Sequence, residues 1–352
     1  MQGTSTIDSE KIVDRYSRQK RFATLGESGQ RQLEKSQVLI CGCGALGSMI
    51  AERLVRAGVG KLRIVDRDWV EESNLPRQTL FTEVDANEGR PKALAASNEL
   101  LRINSRVSIE AVVEDVTHRN IARLADGCQL IMDGTDNFET RLLINDLALS
   151  QEIPWVHGGV LGAGGQVMSI LPGVTACFRC LVPDLPPRES LPTCDTAGVL
   201  GSAVGIIACW QVAEAMKILT GNLDDVCRDL MVIDTWNTAV RLVSLETLKQ
   251  TGTCLACEHK RYSFLSGEHE SETTVLCGKN AVQIAAPKGT TIDLSQLRDK
   301  LAEFTTVSAN PFFIRCEVDG HPLTIFRDGR TIVGETSDPS LAKNLLARTI
   351  GA

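Results

Sequence analysis

The sequence predicts an α/β protein: a doubly wound, mixed sheet, followed by a small C-terminal α+β domain. Three observations carry this reading. An apolar run enters a glycine-rich turn at "VLICGCGALGS" (38–48), strand-length and helix-length patterns alternate as far as residue 150, and hairpin signals replace that alternation beyond residue 275.

The first strand is expected over 37–41, a helix over 45–57 and a second strand over 61–66, which makes a Rossmann-like βαβ unit with phosphate-binding glycines in its first turn. A helix from about Arg90 to Ile103, a strand over 107–113, a helix over 117–125, a strand over 128–133 and a helix starting near Asn137 continue the alternation. This is the pattern of a parallel sheet covered on both faces. From "IPWVHGGVLGAGGQVMSIL" onward the pattern becomes strand pairs, near 154–160, 165–172, 230–236 and 239–246, so the sheet is expected to finish in mixed or antiparallel form. Between the pairs, a proline-rich loop feeds a long, mostly apolar helix that stops at Gly221, read as buried and as a candidate subunit contact. The polar stretch "SGEHESETT" (266–274) reads as a linker. After it come strand 280–285, a helix from about Leu294 to Glu303, strands 311–318, 322–327 and 330–333, and a last helix over 339–349. Asp319-Gly320 and Asp328-Gly329 are the hairpin turns. The domains are therefore expected at 12–262 and 275–352.

The totals narrow the function. With 352 residues and 43% hydrophobic content the chain can bury a full core and more. A net charge of −7, without a lysine or arginine cluster, speaks against a nucleic-acid surface. The longest apolar helix candidate is interrupted by Gln211, Glu214 and Lys217, and the N-terminus has no secretory apolar core, so the expectation is a cytoplasmic protein without a membrane anchor. Twelve cysteines in a long chain of this kind read as reduced thiols. Six of them, Cys41, Cys43, Cys128, Cys209, Cys227 and Cys316, stand in apolar or strand-like surroundings and are expected to fill core space.

Gly42, Gly44 and Gly47 fall where a strand turns sharply, a backbone nears phosphate and a helix packs on the sheet; Asp66 follows Gly47 by 19 residues, at the end of the next strand, where an acid meets ribose hydroxyls. The neighbours decide against a hydride carrier. Arg77 in "NLPRQ", Lys92 in "RPK" and Asp136 in "DGTDN" supply two cations and a carboxylate, a set suited to ATP with Mg²⁺ and to phosphoryl or nucleotidyl transfer.

Taken together, "RYSRQ", "GCGALGS", "VDRDWVEESNLPRQTLF", "RPKALAA", "DGTDNFETR", the pair "CFRC" and "CLAC", and "CDTAGVLG" resemble the ThiF/MoeB/HesA branch of the ubiquitin-activating superfamily over about residues 12–262. The resemblance implies a ThiF-type fold and ATP-dependent adenylation of the C-terminal glycine of a small ubiquitin-like sulfur-carrier protein with a Gly-Gly tail. It implies an adenylyltransferase of thiamine, molybdopterin or related biosynthesis, with thiocarboxylate formed by a separate sulfur donor. By motif, Asp66, Asp68 and Asn74 would contact the nucleotide, Gly42, Gly44, Ala45 and Gly47 its phosphates, Arg77 and Lys92 the triphosphate, and Asp136 the Mg²⁺, with Asn137 beside it. Arg18 would reach the ATP of the other subunit of a homodimer. Ala45 departs from the commoner second glycine but is small enough to leave the phosphate path open. The attacking carboxylate is already ionised, so the chemistry requires no acid–base dyad, and His157 is read as structural or substrate-contacting.

Cys177-x-x-Cys180 and Cys254-x-x-Cys257 read as a structural zinc site, although the 73 residues between the pairs exceed a compact ribbon. Cys194, in a polar loop before a helix, matches a family cysteine that in several members bonds covalently to the carrier. Two further readings stay open: an activating enzyme that forms a thioester through Cys194, and a non-catalytic nucleotide-binding scaffold. The C-terminal domain lacks a sulfurtransferase-like cysteine loop, and a carrier-docking or dimer-supporting role is expected of it.

Overall fold

The computed structural model describes residues 14–186, 197–269, 273–276, 280–286 and 290–350. Eight strands form the main sheet: β1 (Gln37–Cys41), β2 (Lys61–Val65), β3 (Ser108–Val112), β4 (Leu130–Asp133), β5 (Trp155–Leu161), β6 (Gly164–Ile170), β7 (Leu230–Asp234) and β8 (Ala239–Val243). Their order is β3-β2-β1-β4-β5-β6-β7-β8. Pairing is parallel from β3 to β5 and antiparallel from β5 to β8. The chain leaves β1 to one side for β2 and β3, then crosses to β4 on the other side. This switch point opens a crevice beyond the C-terminal ends of β1 and β4, where Cys41 stands opposite Asp133.

β1 shows why the sequence reads as a doubly covered sheet. Val38 and Ile40 enter one core with the helices Ala45–Ala57, Lys92–Ile103 and Gly201–Leu219, while Leu39 and Cys41 enter a second core with the helix Phe138–Ser150 and the cysteine pairs. Strand alternation sends successive side chains to opposite faces, and both faces are apolar.

The helix Gly201–Leu219 has the length and apolarity of a membrane span, with a mean hydropathy of 1.4. It is nevertheless a core element. Buried Gln211 donates through Nε2 to the Asp133 carbonyl at 2.9 Å, and the buried Glu214 carboxylate accepts from Ser169 Oγ at 3.3 Å, Cys227 N at 2.8 Å and Lys217 Nζ at 2.6 Å.

The C-terminal region is a second, wholly antiparallel sheet of β9 (Thr273–Leu276), β10 (Ala281–Ile284), β11 (Val307–Ala309), β12 (Phe313–Val318), β13 (His321–Phe326) and β14 (Thr331–Gly334), in the order β11-β12-β13-β14-β10-β9. The helices Leu294–Leu301 and Pro339–Ile350 cover one of its faces.

Several boundaries differ from expectation for local reasons. The helix expected over 117–125 starts at Ile121, because Asn120 Oδ1 accepts from Thr117 N at 2.9 Å and holds the preceding residues in a turn. The polar linker is shorter than read: Thr273 and Thr274 belong to β9, which pairs antiparallel with β10. The strand expected to run to 246 ends at Val243, and Glu246–Gln250 is a helix. Cys209 is exposed on the long helix rather than buried in the core.

Candidate functional site

The glycine turn is built by steric necessity. Gly42 has φ +84°, and a Cβ there would stand 2.8 Å from the Gly134 carbonyl oxygen; a Cβ on Gly47 would overlap the Gly42 carbonyl oxygen. Only glycine lets the first turn of the helix Ala45–Ala57 come this near the strand ends. Gly44 precedes that helix and Ala45 begins it, so the unpaired amides of its first turn open on the crevice.

Asp66 closes the turn from β2: its Oδ2 accepts from Cys43 N at 2.6 Å and its Oδ1 from Asp68 N at 2.7 Å. The loop that follows runs beside the segment leading to Lys92, with Val70 N donating to the Arg90 carbonyl at 2.8 Å and Lys92 N to the Asp68 carbonyl at 2.9 Å. Lys92 is only 6% exposed, and its Nζ lies 3.4 Å from Asp68 Oδ2. Burial alone would lower the proton affinity of Lys92, but Asp68, Asp66, Asp136 and Glu71 around it hold it above the usual lysine range. Burial pushes the Asp66 carboxyl above the usual carboxylate range, against the pull of Lys92 and with the push of Asp68.

Arg77 and Asn74 sit further along the same loop. Arg77 is half-buried, donates through Nη1 to the Ser73 carbonyl at 2.7 Å and lies against Gly201 at the start of the long helix. Asn74 is buried and accepts through Oδ1 from Glu71 N at 3.3 Å. The neighbouring Gln78, 3% exposed, has an Oε1 without a hydrogen-bond partner among the described residues, and its amide faces Gly44. A buried unpaired acceptor beside a phosphate-type turn fits a ligand-binding wall.

Asp136 is exposed at the tip of the turn after β4. Below it, Asp133 Oδ1 accepts from Thr135 N at 2.9 Å and Thr135 Oγ1 at 2.7 Å, while Oδ2 faces Arg141 Nε at 3.2 Å and His157 Nδ1 at 2.7 Å. Burial would raise the Asp133 carboxyl, but Arg141 and His157 hold it below its ordinary value; burial drives the His157 imidazole down, toward neutrality. His157 is wholly buried and structural. The Asn137 side chain caps the next helix, accepting from Thr140 N at 2.8 Å.

The crevice thus collects Gly42, Gly44, Ala45, Gly47, Asp66, Asp68, Lys92 and Asp136, with Asn74 and Arg77 on its loop. Arg18 stands apart. Its short helix Ser17–Lys20 is tied to the far end of the helix Ala45–Ala57, where Gln19 Nε2 donates to the Ala57 carbonyl at 2.9 Å and Tyr16 packs on Gly58. A helix of this length spans about 20 Å, which separates Arg18 from the crevice of its own chain. Cys194 lies outside the described residues. The sequence reading also passed over Arg67 and Gln78; Arg67, between two acids in "DRD", pairs with Asp115 at 2.7 Å.

The four cysteines expected to meet do so. Their sulfurs lie within 4.8 Å of one another, with Cys177–Cys180 at 3.8 Å, Cys177–Cys254 at 3.6 Å and Cys180–Cys257 at 3.5 Å. Four thiolates at about 2.3 Å from a tetrahedral zinc stand about 3.8 Å apart, so the donor set fits that ion. The knuckles are locked from behind: Phe178 N donates to Asn145 Oδ1 at 2.8 Å, and Arg179 stands 3.7 Å from Asp146. The uncovered face of the C-terminal sheet lies against the loop after β2, where the Arg315 guanidinium stacks on Trp69 with its carbon 3.9 Å from the ring centroid.

Comparison with known proteins agrees with this geometry. The sequence profile of the ThiF family matches residues 16–257. The chain is 42% identical over 342 residues to the sulfur carrier protein ThiS adenylyltransferase of Bacillus subtilis, covering 97% of this chain and 100% of that protein, so the C-terminal region is inside the match. It is 36% identical over 251 residues to the SAMP-activating enzyme E1 of Haloferax volcanii, covering 71% of this chain and 92% of that one. Among solved structures, MccB of E. coli with ATP shares the fold, with a TM-score of 0.56 and 20% identity over 66% of this chain and 71% of that one.

Proposed function

The chain belongs to the ThiF family, and from that premise we propose that it is an adenylyltransferase that uses ATP to adenylate the C-terminal glycine of a small ubiquitin-like sulfur-carrier protein of the ThiS/MoaD kind. The observation that carries the site assignment is Lys92, a buried cation among Asp66, Asp68 and Asp136 at the mouth of the glycine turn. Asp66 takes the ribose hydroxyls, helped by Asp68 and Asn74. The amides at Gly42, Gly44, Ala45 and Gly47 line the phosphate path, and Lys92 with Arg77 carries the triphosphate charge.

A carboxylate oxygen of the carrier's last glycine bonds to the α-phosphorus; the bond from that phosphorus to the bridging oxygen breaks, and pyrophosphate leaves with the electron pair. The nucleophile arrives ionised, which matches a site whose one nearby histidine is buried in a structural network. Asp136 would hold Mg²⁺, which supplies neutralisation of polyphosphate charge. Cys177, Cys180, Cys254 and Cys257 would hold zinc, which ties the segments around the two cysteine pairs together. A homodimer would bring Arg18 to the nucleotide of the other subunit, and a separate donor in the cytoplasm would deliver sulfur, in thiamine, molybdopterin or a related biosynthesis. Cys194 is the position at which a covalent carrier adduct would form.

Labelled pyrophosphate should exchange into ATP only when a carrier ending in Gly-Gly is present. No exchange with any such carrier sinks the reading. Protein purified without chelator should hold about one zinc per chain, lost in Cys254→Ser; metal-free, cooperatively folded protein rejects the four-cysteine site.

A further inference from the structure

The C-terminal sheet has two different faces. Val282, Ile284, Ile314, Cys316, Leu323, Ile325 and Val333 point to its own helices. Alternation turns the intervening residues the other way. There Ala281, Phe313, Phe326 and Ile332 form a second apolar cluster completed by Trp69 of the nucleotide loop.

Polar contacts surround this cluster, and they fall on residues that frame Lys92. Gln283 Nε2 donates to Asp115 Oδ2 at 3.0 Å, Arg330 Nη2 to the Arg67 carbonyl at 3.3 Å and Asn310 Nδ2 to the Gly89 carbonyl at 3.3 Å. Asp115 in turn receives Arg67 Nη1 at 2.7 Å. That bond matters because Arg67 also lies 3.9 Å from Asp68, and Asp68 is the ion-pair partner of Lys92. Burial would raise the Asp115 carboxyl, yet Arg67 and Arg330 hold it below its ordinary range, so it stays an anion able to keep Arg67. Arg330 is 5% exposed, and its Nε has no hydrogen-bond partner among the described residues. Its guanidinium is held instead by Gln283 Oε1, which accepts from Nη1 at 3.4 Å, by Asp328 at 3.9 Å and by the Phe326 ring, whose centroid is 3.6 Å from its carbon.

We propose that the C-terminal sheet positions the nucleotide loop: Gln283 and Arg330 fix Asp115 and Arg67, next to the Asp68 that pairs with Lys92, so that docking of this sheet and binding of ATP are coupled. The coupling rests on the crevice being an ATP site and is independent of the carrier. Coupling between sites is reciprocal, so each event should strengthen the other.

The test measures ATP binding without carrier. Gln283→Leu keeps the bulk and removes the donor to Asp115. Its KM for ATP and the directly measured Kd should rise about fivefold to tenfold, while kcat of carrier-dependent exchange stays within about twofold. In the unaltered protein, ATP should slow amide hydrogen exchange in β12 and β14, and Gln283→Leu should lose most of that slowing. An unchanged Kd in folded Gln283→Leu, or exchange in β12 and β14 indifferent to ATP in a parent that binds it, overturns the coupling. The second measurement needs no variant, so a poorly folding Gln283→Leu does not blunt it. Loss of carrier-dependent exchange with ATP-dependent protection intact removes only the carrier reading, and a parent that binds no ATP removes both.

Discussion

Asp66 and Asp133 occupy similar places, at the C-terminal ends of β2 and β4, and each stands near a buried cation. Asp133 is 0% exposed and its two oxygens are filled by Thr135, Arg141 and His157; Arg141 spends further donors on the Thr135 and Gly158 carbonyls. The fold favours its ionised form. Asp66 accepts two backbone amides but shares Lys92 with Asp68 and Asp136, and the fold disfavours its charge. One network is finished by its own residues. The other gathers three acids, Asp66, Asp68 and Asp136, around Lys92, and the proposed nucleotide site rests on that gathering.

The two networks differ most in what their cations do. Lys92→Met should lower carrier-dependent pyrophosphate exchange by about 10³-fold, with a cooperative unfolding transition retained, because the cation acts on developing phosphate charge. Arg141→Met should do the reverse, costing about 3 kcal/mol or more of stability by leaving Asp133 buried with less compensation, and changing the KM for ATP far less. If Lys92→Met unfolds the protein while Arg141→Met spares it, the two networks have been assigned the wrong way round.

The carboxylates sharpen the contrast. Asp133→Asn should lower stability by about 3 kcal/mol in urea unfolding at pH 7, whereas Asp66→Asn should change it by no more than about 1 kcal/mol while weakening ATP binding. Acid extends this. The folded pKa of Asp133 is lowered, so its contribution is present above the unfolded value, about 3.9, and lost as pH falls through the folded one. His157 is lowered too: its contribution is present above about 6.5 and is lost at up to about 1.4 kcal/mol per pH unit as the pH drops toward the folded value. Asp66 has the opposite sign, its contribution being present below about 3.9 and lost as pH rises through its raised folded pKa. Between pH 7 and 5.5 the parent should therefore lose stability that His157→Gln does not. A parallel pH slope in that variant would remove His157 from the account.

How much of this was legible in the sequence depended on distance along the chain. The glycine turn was legible because Gly42 and Gly47 are demanded by local sterics, and Asp66 because a βαβ unit puts the second strand end beside the first. The cysteine pairs were legible by type and by family resemblance, despite their separation. The docking of the C-terminal sheet was not, since Asn310 meets Gly89 across 221 residues and Arg330 meets Arg67 across 263, and no local pattern records such pairs. β9 was missed because it is only four residues long and its first two, Thr273 and Thr274, continue the polar stretch before it. Cys209 was read as core because its helix is mostly apolar, yet the helix leaves one flank exposed at Ile206 and Cys209.

The smallest predicted effect tests what the turn itself requires. Ala45 is the first residue of the helix Ala45–Ala57, and Gly44 before it has φ −79°, so neither needs the left-handed backbone that Gly42 adopts. The turn itself is set by Gly42 and Gly47, where a Cβ would strike backbone; beside Gly44 the nearest group to an added Cβ is the Gln78 amide at 3.9 Å. Restoring a second glycine with Ala45→Gly should therefore leave the KM for ATP within twofold and lower stability by about 0.5 kcal/mol, from the looser start of the helix. Gly42→Ala, one turn of chain earlier, should instead cost several-fold more stability than that, because both its φ and its contact with Gly134 forbid a side chain. If Ala45→Gly tightens ATP binding tenfold, the methyl of Ala45 has been obstructing the phosphates, and the path through this turn runs closer to the helix than the glycine geometry implies.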